Sequence, residues 1–344
     1  MSKTIRNSFD SKLTYQKLLE AHYRANKGKR KKPEIIIYEM DLETNLIQLI
    51  QDIENGTYRL GKYREFTIKD PKERVIRSLP YRDRIVHQWY VEEFIKPFFV
   101  KRFISDSYAC INDRGVHKAI NKLQKYMRKM QKLCGTYYVV KFDIKKFFYS
   151  IDRDILFEIL KNRISDAKLL EFTRILLIDE IEPVGIPIGN YTSQYFANIY
   201  LNELDHYIKE ELKVKYYIRY MDDFIMLVKD KSEAKYLLKS VDVFLNEKLN
   251  LKLNGKSRYY PSNKGIDFCG YVVFENYRLL RKRFKNKTKK RIELWAYLKR
   301  NGKLNNKKML LSWNSMVGHA MHANSYRFMC KMSRYKDNLL NELT

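Results

Sequence analysis

Residues 216–228 read Tyr-Tyr-Ile-Arg-Tyr-Met-Asp-Asp-Phe-Ile-Met-Leu-Val. Two adjacent carboxylates, Asp222 and Asp223, interrupt a run of β-branched, aromatic and other apolar residues that is typical of a strand. A tight β-hairpin with this pair at its tip would explain the interruption. Neighbouring like charges are costly unless a cation binds them, so the pattern predicts a divalent metal site. An exposed acidic turn is the alternative that this stretch alone leaves open.

A third carboxylate ends another predicted strand. The apolar run 137–142 leads directly into Asp143, well before the adjacent pair. Three carboxylates could hold two metal ions that clamp the attacking and leaving oxygens of an in-line phosphoryl displacement. Asp152 and Asp154 are rival candidates for the third ligand. They fit better as the N-cap and first turn of a helix predicted over 154–162.

The charge balance indicates a polyanionic partner. The chain has 344 residues, with 68 Lys and Arg against 40 Asp and Glu and a net charge of +28 at pH 7. This excess is far larger than solubility requires and is typical of a nucleic-acid-binding protein. Residues 275–344 alone hold 18 Lys and Arg against 4 Asp and Glu, with apolar residues at helical spacing. We therefore expect this part to be a helical region that grips a duplex backbone.

The sequence predicts no membrane partner and a soluble, cytoplasmic protein. No apolar run approaches the roughly 18 residues of a spanning helix, and the first residues lack the apolar core of a signal peptide. Neither end carries a basic amphipathic anchor or a lipidation motif. The four cysteines are scattered, without a Cys-x-x-Cys pair, and so we expect reduced thiols.

A basic hairpin is predicted over residues 63–77. Two short alternating runs flank an Asp-Pro pair at 70–71, which favours a turn. The hairpin carries Lys72, Arg74 and Arg77, and Arg is well suited to bidentate contact with phosphate. Such a hairpin could fold over a nucleotide triphosphate. A surface hairpin with its own salt bridges is an equally compatible interpretation.

Two loops that enter helices are further candidates for phosphate or nucleotide contact. Arg114 stands just before a helix predicted over 116–133, where backbone amides favour anions. The loop 185–194 is rich in small residues, so a nucleotide could approach its backbone closely, although an ordinary helix cap is the alternative. The basic run 24–32 fits either a solvated linker or a phosphate contact.

Taken in order, these pieces resemble a reverse transcriptase along nearly the whole chain. The motifs that carry the resemblance are the basic hairpin, Asp143 with Phe148 five residues on, Ile188-Gly189 with Ser193-Gln194, Tyr220-Met221-Asp222-Asp223, Lys256, and Phe268-x-Gly270-Tyr271. The family implies an α+β right-hand polymerase fold with fingers, a palm built on an antiparallel sheet with helices, and a helical thumb. The expected divisions are a basic N-terminal extension at 1–34, mainly fingers at 35–142, mainly palm at 143–274 and a helical basic thumb at 275–344.

The resemblance also implies roles for individual residues. Asp143, Asp222 and Asp223 would hold two Mg²⁺ ions, and Lys256 would neutralise or protonate the leaving pyrophosphate. The residues implied in nucleotide binding are Lys72, Arg74, Arg77, Phe148, Ile188, Gly189 and Gln194, with Phe148 as the steric gate against a ribose 2′-hydroxyl. The residues expected at the template and primer are Arg114, Tyr220, Met221, Phe268, Gly270 and Tyr271.

Within that superfamily the chain looks most like the reverse transcriptases of diversity-generating retroelements. Their hallmark is an aliphatic-Gly-x-x-x-Ser-Gln loop, here Ile188 to Gln194, where retroviral, group II intron and retron enzymes usually carry Gln-Gly-x-x-x-Ser-Pro. The family misreads template adenine, and Ile188 with Arg74 match positions linked to that infidelity. Some antiphage-defence reverse transcriptases, which make cDNA from an associated non-coding RNA, are also similar. The resemblance therefore leaves diversification and defence open.

The implied partners are an RNA template, a structured non-coding RNA, an RNA/DNA duplex, dNTPs, and a small basic accessory protein or other subunits. We expect no further domain after the predicted thumb, and we therefore expect RNA removal and DNA nicking to come from other proteins. The sequence disfavours two other classes of protein. An RNA-dependent RNA polymerase would favour a small residue at Phe148 and Gly-Asp-Asp at the hairpin. A non-catalytic RNA-binding descendant of a polymerase would lack at least one of the three carboxylates.

Overall fold

A computed structural model describes residues 4–69, 72–177 and 184–341. The N-terminal part is mostly helical. Its helices are α1 (Phe9–Lys12), α2 (Tyr15–Asn26), α3 (Pro33–Met40), α4 (Leu42–Glu54), α5 (Tyr81–Tyr90) and α6 (Lys96–Phe99), with a π-helical turn at Val91–Ile95 and a 3-10 turn at Val100–Arg102.

The predicted basic hairpin is confirmed. Strands β1 (Arg64–Ile68) and β2 (Arg74–Ser78) pair antiparallel, with Glu65 opposite Arg77. Both strands are largely exposed, so the hairpin projects from the helical layer. The Asp-Pro turn predicted at 70–71 lies outside the described residues.

The N-terminal residues are part of the core and not a separate extension. Ile5, Phe9 and Leu18 are almost fully buried. The Phe9 ring packs edge-on against Trp89 of α5, with ring centroids 5.7 Å apart. Burial of these side chains stabilises the helical layer, which favours a different division from the one predicted at residue 34. We propose that residues 4–34 belong to the fingers.

The central sheet has four antiparallel strands in the order β4-β5-β3-β6. Its strands are β3 (Tyr138–Asp143), β4 (Tyr217–Tyr220), β5 (Asp223–Val228) and β6 (Arg258–Pro261). The helices of this part are α7 (Val116–Cys134), α8 (Phe147–Ser150), α9 (Arg153–Lys161), α10 (Ala167–Leu177), α11 (Tyr191–His206, continued by a π-helical turn at Tyr207–Glu211) and α12 (Lys231–Leu249). The Asp152 carboxylate accepts hydrogen bonds from the amides of Asp154 and Ile155, which confirms its predicted role as the N-cap of α9.

Helices cover both faces of this sheet, and this explains the unbroken apolar run of β5. Phe224 and Met226 face the core that contains α11 and α12. Ile225 and Leu227 face a second core that contains α7. Asp223 lies in register with this second face, because side chains alternate along a strand.

A second small sheet connects the palm to the thumb. Its order is β7-β8-β9, with β7 (Ile266–Phe268) and β8 (Tyr271–Val273) forming an antiparallel hairpin. The third strand, β9 (Arg278–Leu280), pairs with β8 and lies inside the stretch predicted as thumb. We therefore propose that the thumb begins at the next element, the helix α13 (Lys282–Arg300).

Three helices form the C-terminal part, as predicted. α13 is followed by α14 (Asn306–Ala320) and α15 (Tyr326–Asn341), and their shared core contains Ile292, Trp295 and Met332. Together with the palm sheet and the projecting hairpin, this arrangement is the right-hand polymerase fold. Within the described ranges, no helix has the length and apolar character that crossing a bilayer requires.

Candidate active site

The Asp-Asp hairpin forms as predicted. Strands β4 and β5 pair with Tyr220 opposite Asp223, so Met221 and Asp222 make a two-residue turn. Met221 has a φ of 55°, which costs a residue with a side chain on the order of 1 kcal/mol or more. Such strain persists only where the surroundings fix the backbone, and it is concentrated at functional sites. The turn holds two consecutive carboxylates at the end of the sheet.

Asp143 lies directly opposite Asp223 across β3 and β5. A neighbouring turn fixes its backbone: the Asp143 amide donates to Ser257 Oγ at 3.0 Å, and its carbonyl accepts from the Asn254 amide at 2.7 Å. Lys256 belongs to this turn and is exposed. The structure therefore places Asp143 opposite Asp223, which follows Asp222 at the turn, and places Lys256 in the segment bound to Asp143.

Burial governs the electrostatics of the adjacent pair. It raises the pKa of Asp223 to about 6, with a further increase from the charge of Asp222 and an opposing effect from Lys141. Burial also raises the pKa of Asp222, as does the nearby charge of Asp143, while Lys72 and Arg74 lower it. These two basic residues of the hairpin thus act electrostatically on the tip of the Asp-Asp turn. A perturbed carboxyl cluster in a cleft is characteristic of a functional site.

The donor chemistry of the carboxylates suits Mg²⁺, which prefers oxygen ligands. Asp223 Oδ1 is buried and makes no hydrogen bond of good geometry, although Lys141 Nζ is 3.4 Å away. Among the described residues, however, no three His, Cys, Asp or Glu side chains are positioned to hold one metal ion together. The two-metal set expected from the sequence therefore stays a prediction. Mutual repulsion and the pull of Lys141 on Asp223 oppose convergence of the three carboxylates.

The basic hairpin meets the loop that precedes α11. The Arg77 amide donates to the Ile188 carbonyl at 2.9 Å, and a cavity of about 160 Å³ lies between β2 and this loop. The Arg77 side chain pairs with Glu65 at 2.7 Å, whereas Lys72 and Arg74 are exposed. Of the three basic residues, Lys72 and Arg74 are therefore the better placed for a triphosphate.

Gly189 is required by this contact. A Cβ at Gly189 would lie 2.2 Å from the Arg77 carbonyl oxygen, and the residue has a φ of 138°. We expect Gly189→Ala to separate the hairpin from the loop and to lower the free energy of unfolding by about 1–3 kcal/mol. The KM for dNTP should rise more than kcat falls. Thermal melting and steady-state kinetics measure both effects, and Gly318→Ala, where no atom lies within 4 Å of the added Cβ, is the matched control.

Phe148 contacts the predicted loop 185–194 through its backbone, and Gln194 is the last residue of that segment. Phe148 is half-buried on α8, and its carbonyl accepts from the Ile186 amide at 2.7 Å. Its ring contacts that of Phe147, with centroids 5.5 Å apart. Gln194 is exposed on the first turn of α11. Both positions are compatible with their predicted roles, which stay predictions.

The structure buries the side chains of two residues that were predicted at the template and primer. Phe268 and Tyr271 are fully buried, and the Tyr271 hydroxyl donates to the His319 carbonyl of α14 at 2.8 Å. Their side chains hold the second sheet to the thumb and do not face a primer. Gly270, with a φ of 97° in the β7–β8 turn, is partly exposed. The turn at Cys269 and Gly270 is therefore the accessible part of this hairpin, and its role at the primer end stays a prediction.

Arg114 and the two hairpin residues Tyr220 and Met221 are also engaged with the protein. Arg114 Nη1 donates to the carbonyls of Ile104 and Ser107 at 2.7 and 2.6 Å. This side chain therefore braces the loop before α7. Tyr220 and Met221 are half-buried beside the carboxylates, and their role at the template and primer stays a prediction.

The sequence pattern did not indicate the network beneath the turn. Arg219 and Asp205 are fully buried, with Arg219 Nη2 2.6 Å from Asp205 Oδ2. Arg219 Nη1 also donates to Asn198 Oδ1 at 3.0 Å and to the Met221 carbonyl at 3.3 Å. The available signal was a lone arginine inside an apolar strand, since a buried charge requires a partner. Lys141, beside Asp223, is likewise a lone basic residue inside an apolar strand.

Comparisons with known proteins agree with this geometry. Residues 68–273, more than half of the chain, match the family described as "Reverse transcriptase (RNA-dependent DNA polymerase)". The chain belongs to the reverse transcriptase family. Among curated proteins it is similar to protein YkfC of Escherichia coli strain K12, with 26% identity over 59% of this chain and 62% of that protein.

Two further similarities extend the comparison. The group II intron-encoded protein LtrA of Lactococcus lactis subsp. cremoris is 22% identical over 67% of this chain and 50% of its own length. The solved structure of apo telomerase from Candida tropicalis matches with a TM-score of 0.48 and 16% identity, covering 69% of this chain and 60% of that one. The chain thus spans between half and two thirds of the length of these curated relatives.

Proposed function

We propose that this chain is an RNA-directed DNA polymerase that copies an RNA template by metal-assisted nucleotidyl transfer. The observation that carries the proposal is the pairing of Asp143 with Asp223, beside Asp222 at the turn, within electrostatic reach of the basic hairpin. Membership of the reverse transcriptase family supports the same chemistry. Incorporation of labelled dNTPs on an RNA template, compared with an Asp222→Ala, Asp223→Ala variant, tests it.

In this proposal each group of residues has a separate task. The three carboxylates would hold two Mg²⁺ ions, which would supply activation of the primer hydroxyl and neutralisation of the charge on the phosphates. Lys72 and Arg74 contact the triphosphate from the hairpin side. Lys256, exposed on the turn bound to Asp143, neutralises the leaving pyrophosphate.

Phe148 selects deoxynucleotides in this account. The hydrogen bond that its carbonyl accepts from the Ile186 amide at 2.7 Å holds its backbone on α8. Its ring packs against Phe147, with centroids 5.5 Å apart, and would have to leave this packing to make room for an added 2′-hydroxyl. We expect Phe148→Val to raise rNTP incorporation relative to dNTP by about 10- to 200-fold, which is the range for steric discrimination of a small group. Competing dNTP and rNTP extension assays measure the ratio. Nearly unchanged kcat/KM for dNTPs is the internal control, and an unchanged ratio would remove Phe148 from this role.

We further propose that the chain is a reverse transcriptase of the diversity-generating type, which misreads template adenine. The loop Ile188 to Gln194 and Arg74 carry the resemblance. Ile188 is hydrogen-bonded to the strand that begins with Arg74, so the two positions linked to infidelity share one structural unit. The excess positive charge is consistent with a structured RNA partner.

Sequencing of the cDNA tests this finer role. We expect substitutions concentrated opposite template adenines, and fewer of them in the Ile188→Gln variant, because that residue type is usual at this position in other reverse transcriptases. The polymerase must be given its cognate RNA and candidate accessory proteins. Repetitive or homopolymeric cDNA would instead favour a defence role, and faithful cDNA would contradict diversification.

A further inference from the structure

Lys141 lies beside the carboxylates that we propose as metal ligands. It stands two residues before Asp143 on β3, and so both side chains are on the same face of the sheet. Its Nζ is 3.4 Å from Asp223 Oδ1, with 21% of the Lys141 side chain and 29% of the Asp223 side chain exposed. The same Nζ donates a hydrogen bond to the main-chain carbonyl of Asp267.

This lysine is held from two sides. Asp267 belongs to β7, and its carboxylate pairs with Arg281, the residue that caps the N-terminus of α13. The ammonium of Lys141 therefore lies between the palm sheet and the strands that lead to the thumb. A partly buried cation between a carboxylate and a main-chain carbonyl that accepts its hydrogen bond differs from a solvated surface lysine, whose ion pair contributes little.

The contact with Asp223 competes with metal binding. Asp223 Oδ1 is buried and has no hydrogen bond of good geometry, so this oxygen is available to a metal ion. An ammonium group and a divalent cation repel each other strongly when both approach one oxygen in a partly desolvated site. The Asp267 carbonyl offers Lys141 a second acceptor, to which it can stay bound when it leaves Asp223.

We propose that Lys141 is an internal counter-cation of Asp223 that a divalent metal ion displaces, and that it thereby sets the metal affinity of the site. This inference rests on the proposed function, because it takes Asp223 to be a metal ligand. Lys141 is a positioning residue in this account. It holds the Asp223 side chain before metal binds and then remains attached to the β7 strand through Asp267.

The test is a titration of the 344-residue chain with Mn²⁺ alone, in which electron paramagnetic resonance measures free Mn²⁺. Lys141→Gln removes the charge but keeps a donor for Asp267, and we expect its Mn²⁺ dissociation constant to fall by about three- to tenfold. Lys141→Arg keeps the charge and should remain within about twofold of the wild-type value. Lys239→Gln removes one charge from an exposed site on α12 and is the matched control.

The outcomes separate the inference from the function on which it rests. If Lys141→Gln binds Mn²⁺ no more tightly than the wild-type chain, the proposed displacement of Lys141 by metal is overturned and the polymerase proposal stands. If the wild-type chain shows no Mn²⁺ binding that depends on Asp222 and Asp223, both are overturned. Local damage cannot imitate the expected result, because a damaged site would bind metal more weakly.

Discussion

Asp223→Asn is expected to lower the rate of DNA synthesis by on the order of a thousandfold or more. The same substitution is expected to make the protein more stable at pH 7.5. Burial raises the pKa of Asp223 from its ordinary value of 3.8 to about 6. The native state therefore binds this proton more tightly than the unfolded state does. The stability that the protonated group contributes is fully present below pH 3.8 and is lost as the pH rises through about 6. The neutral amide avoids this loss.

The free energy of unfolding is expected to rise by about 1–2 kcal/mol. This is less than the full pKa shift of Asp223 would give, because water screens the side chain and the variant loses the ion pair with Lys141. Thermal melting at pH 7.5 and at about pH 4 measures it, and the gain should shrink toward the lower pH. Asp152→Ala is the control, for which we expect lower stability with unchanged DNA synthesis. It removes a helix N-cap, so it should cost about 1 kcal/mol and leave synthesis intact. A destabilised or active Asp223→Asn variant would contradict the assignment.

Arg219→Ala should lower the free energy of unfolding by about 3–5 kcal/mol, because it leaves Asp205 charged and buried without a partner. Both side chains are 0% exposed. The variant should also lose activity, since Arg219 Nη1 donates to the carbonyl of Met221 at 3.3 Å, at the turn that carries Asp222. Chemical denaturation and primer extension measure the two effects.

The double variant Arg219→Met, Asp205→Leu separates stability from positioning. Replacing both charges with apolar side chains of similar size should recover most of the stability, although the Tyr217 hydroxyl loses its acceptor on Asp205. Activity should stay low, because Met221 still lacks the donor that holds its backbone. If activity returns together with stability, the ion pair serves the fold alone.

The three candidate carboxylates could be predicted from the sequence because they interrupt or end apolar strands. Few structural roles account for a charge at the end of such a run, as at Asp143 or Asp223. Strand pairing then places these two charges opposite each other. The basic hairpin and the Asp152 cap were predictable because turn and cap residues act locally.

Contacts between distant segments could not be predicted in this way. Phe268 and Tyr271 are buried by α14, some 50 residues later in the chain, and no local pattern distinguishes a buried aromatic residue from one that faces a primer. Ile5 and Phe9 similarly join a core built mainly from later residues. Lys141 and Arg219 find their carboxylate partners only in the folded chain, because those partners lie on other elements.

The most direct test of the central claim is DNA synthesis by the purified chain on an RNA template with its cognate RNA, a primer, dNTPs and Mg²⁺. The account predicts labelled DNA product that requires Mg²⁺ and is absent from the folded Asp223→Asn variant. The same variant should still bind the template with unchanged affinity. Product that persists in Asp223→Asn, or a wild-type chain that binds RNA but makes no DNA with candidate accessory proteins present, would contradict it.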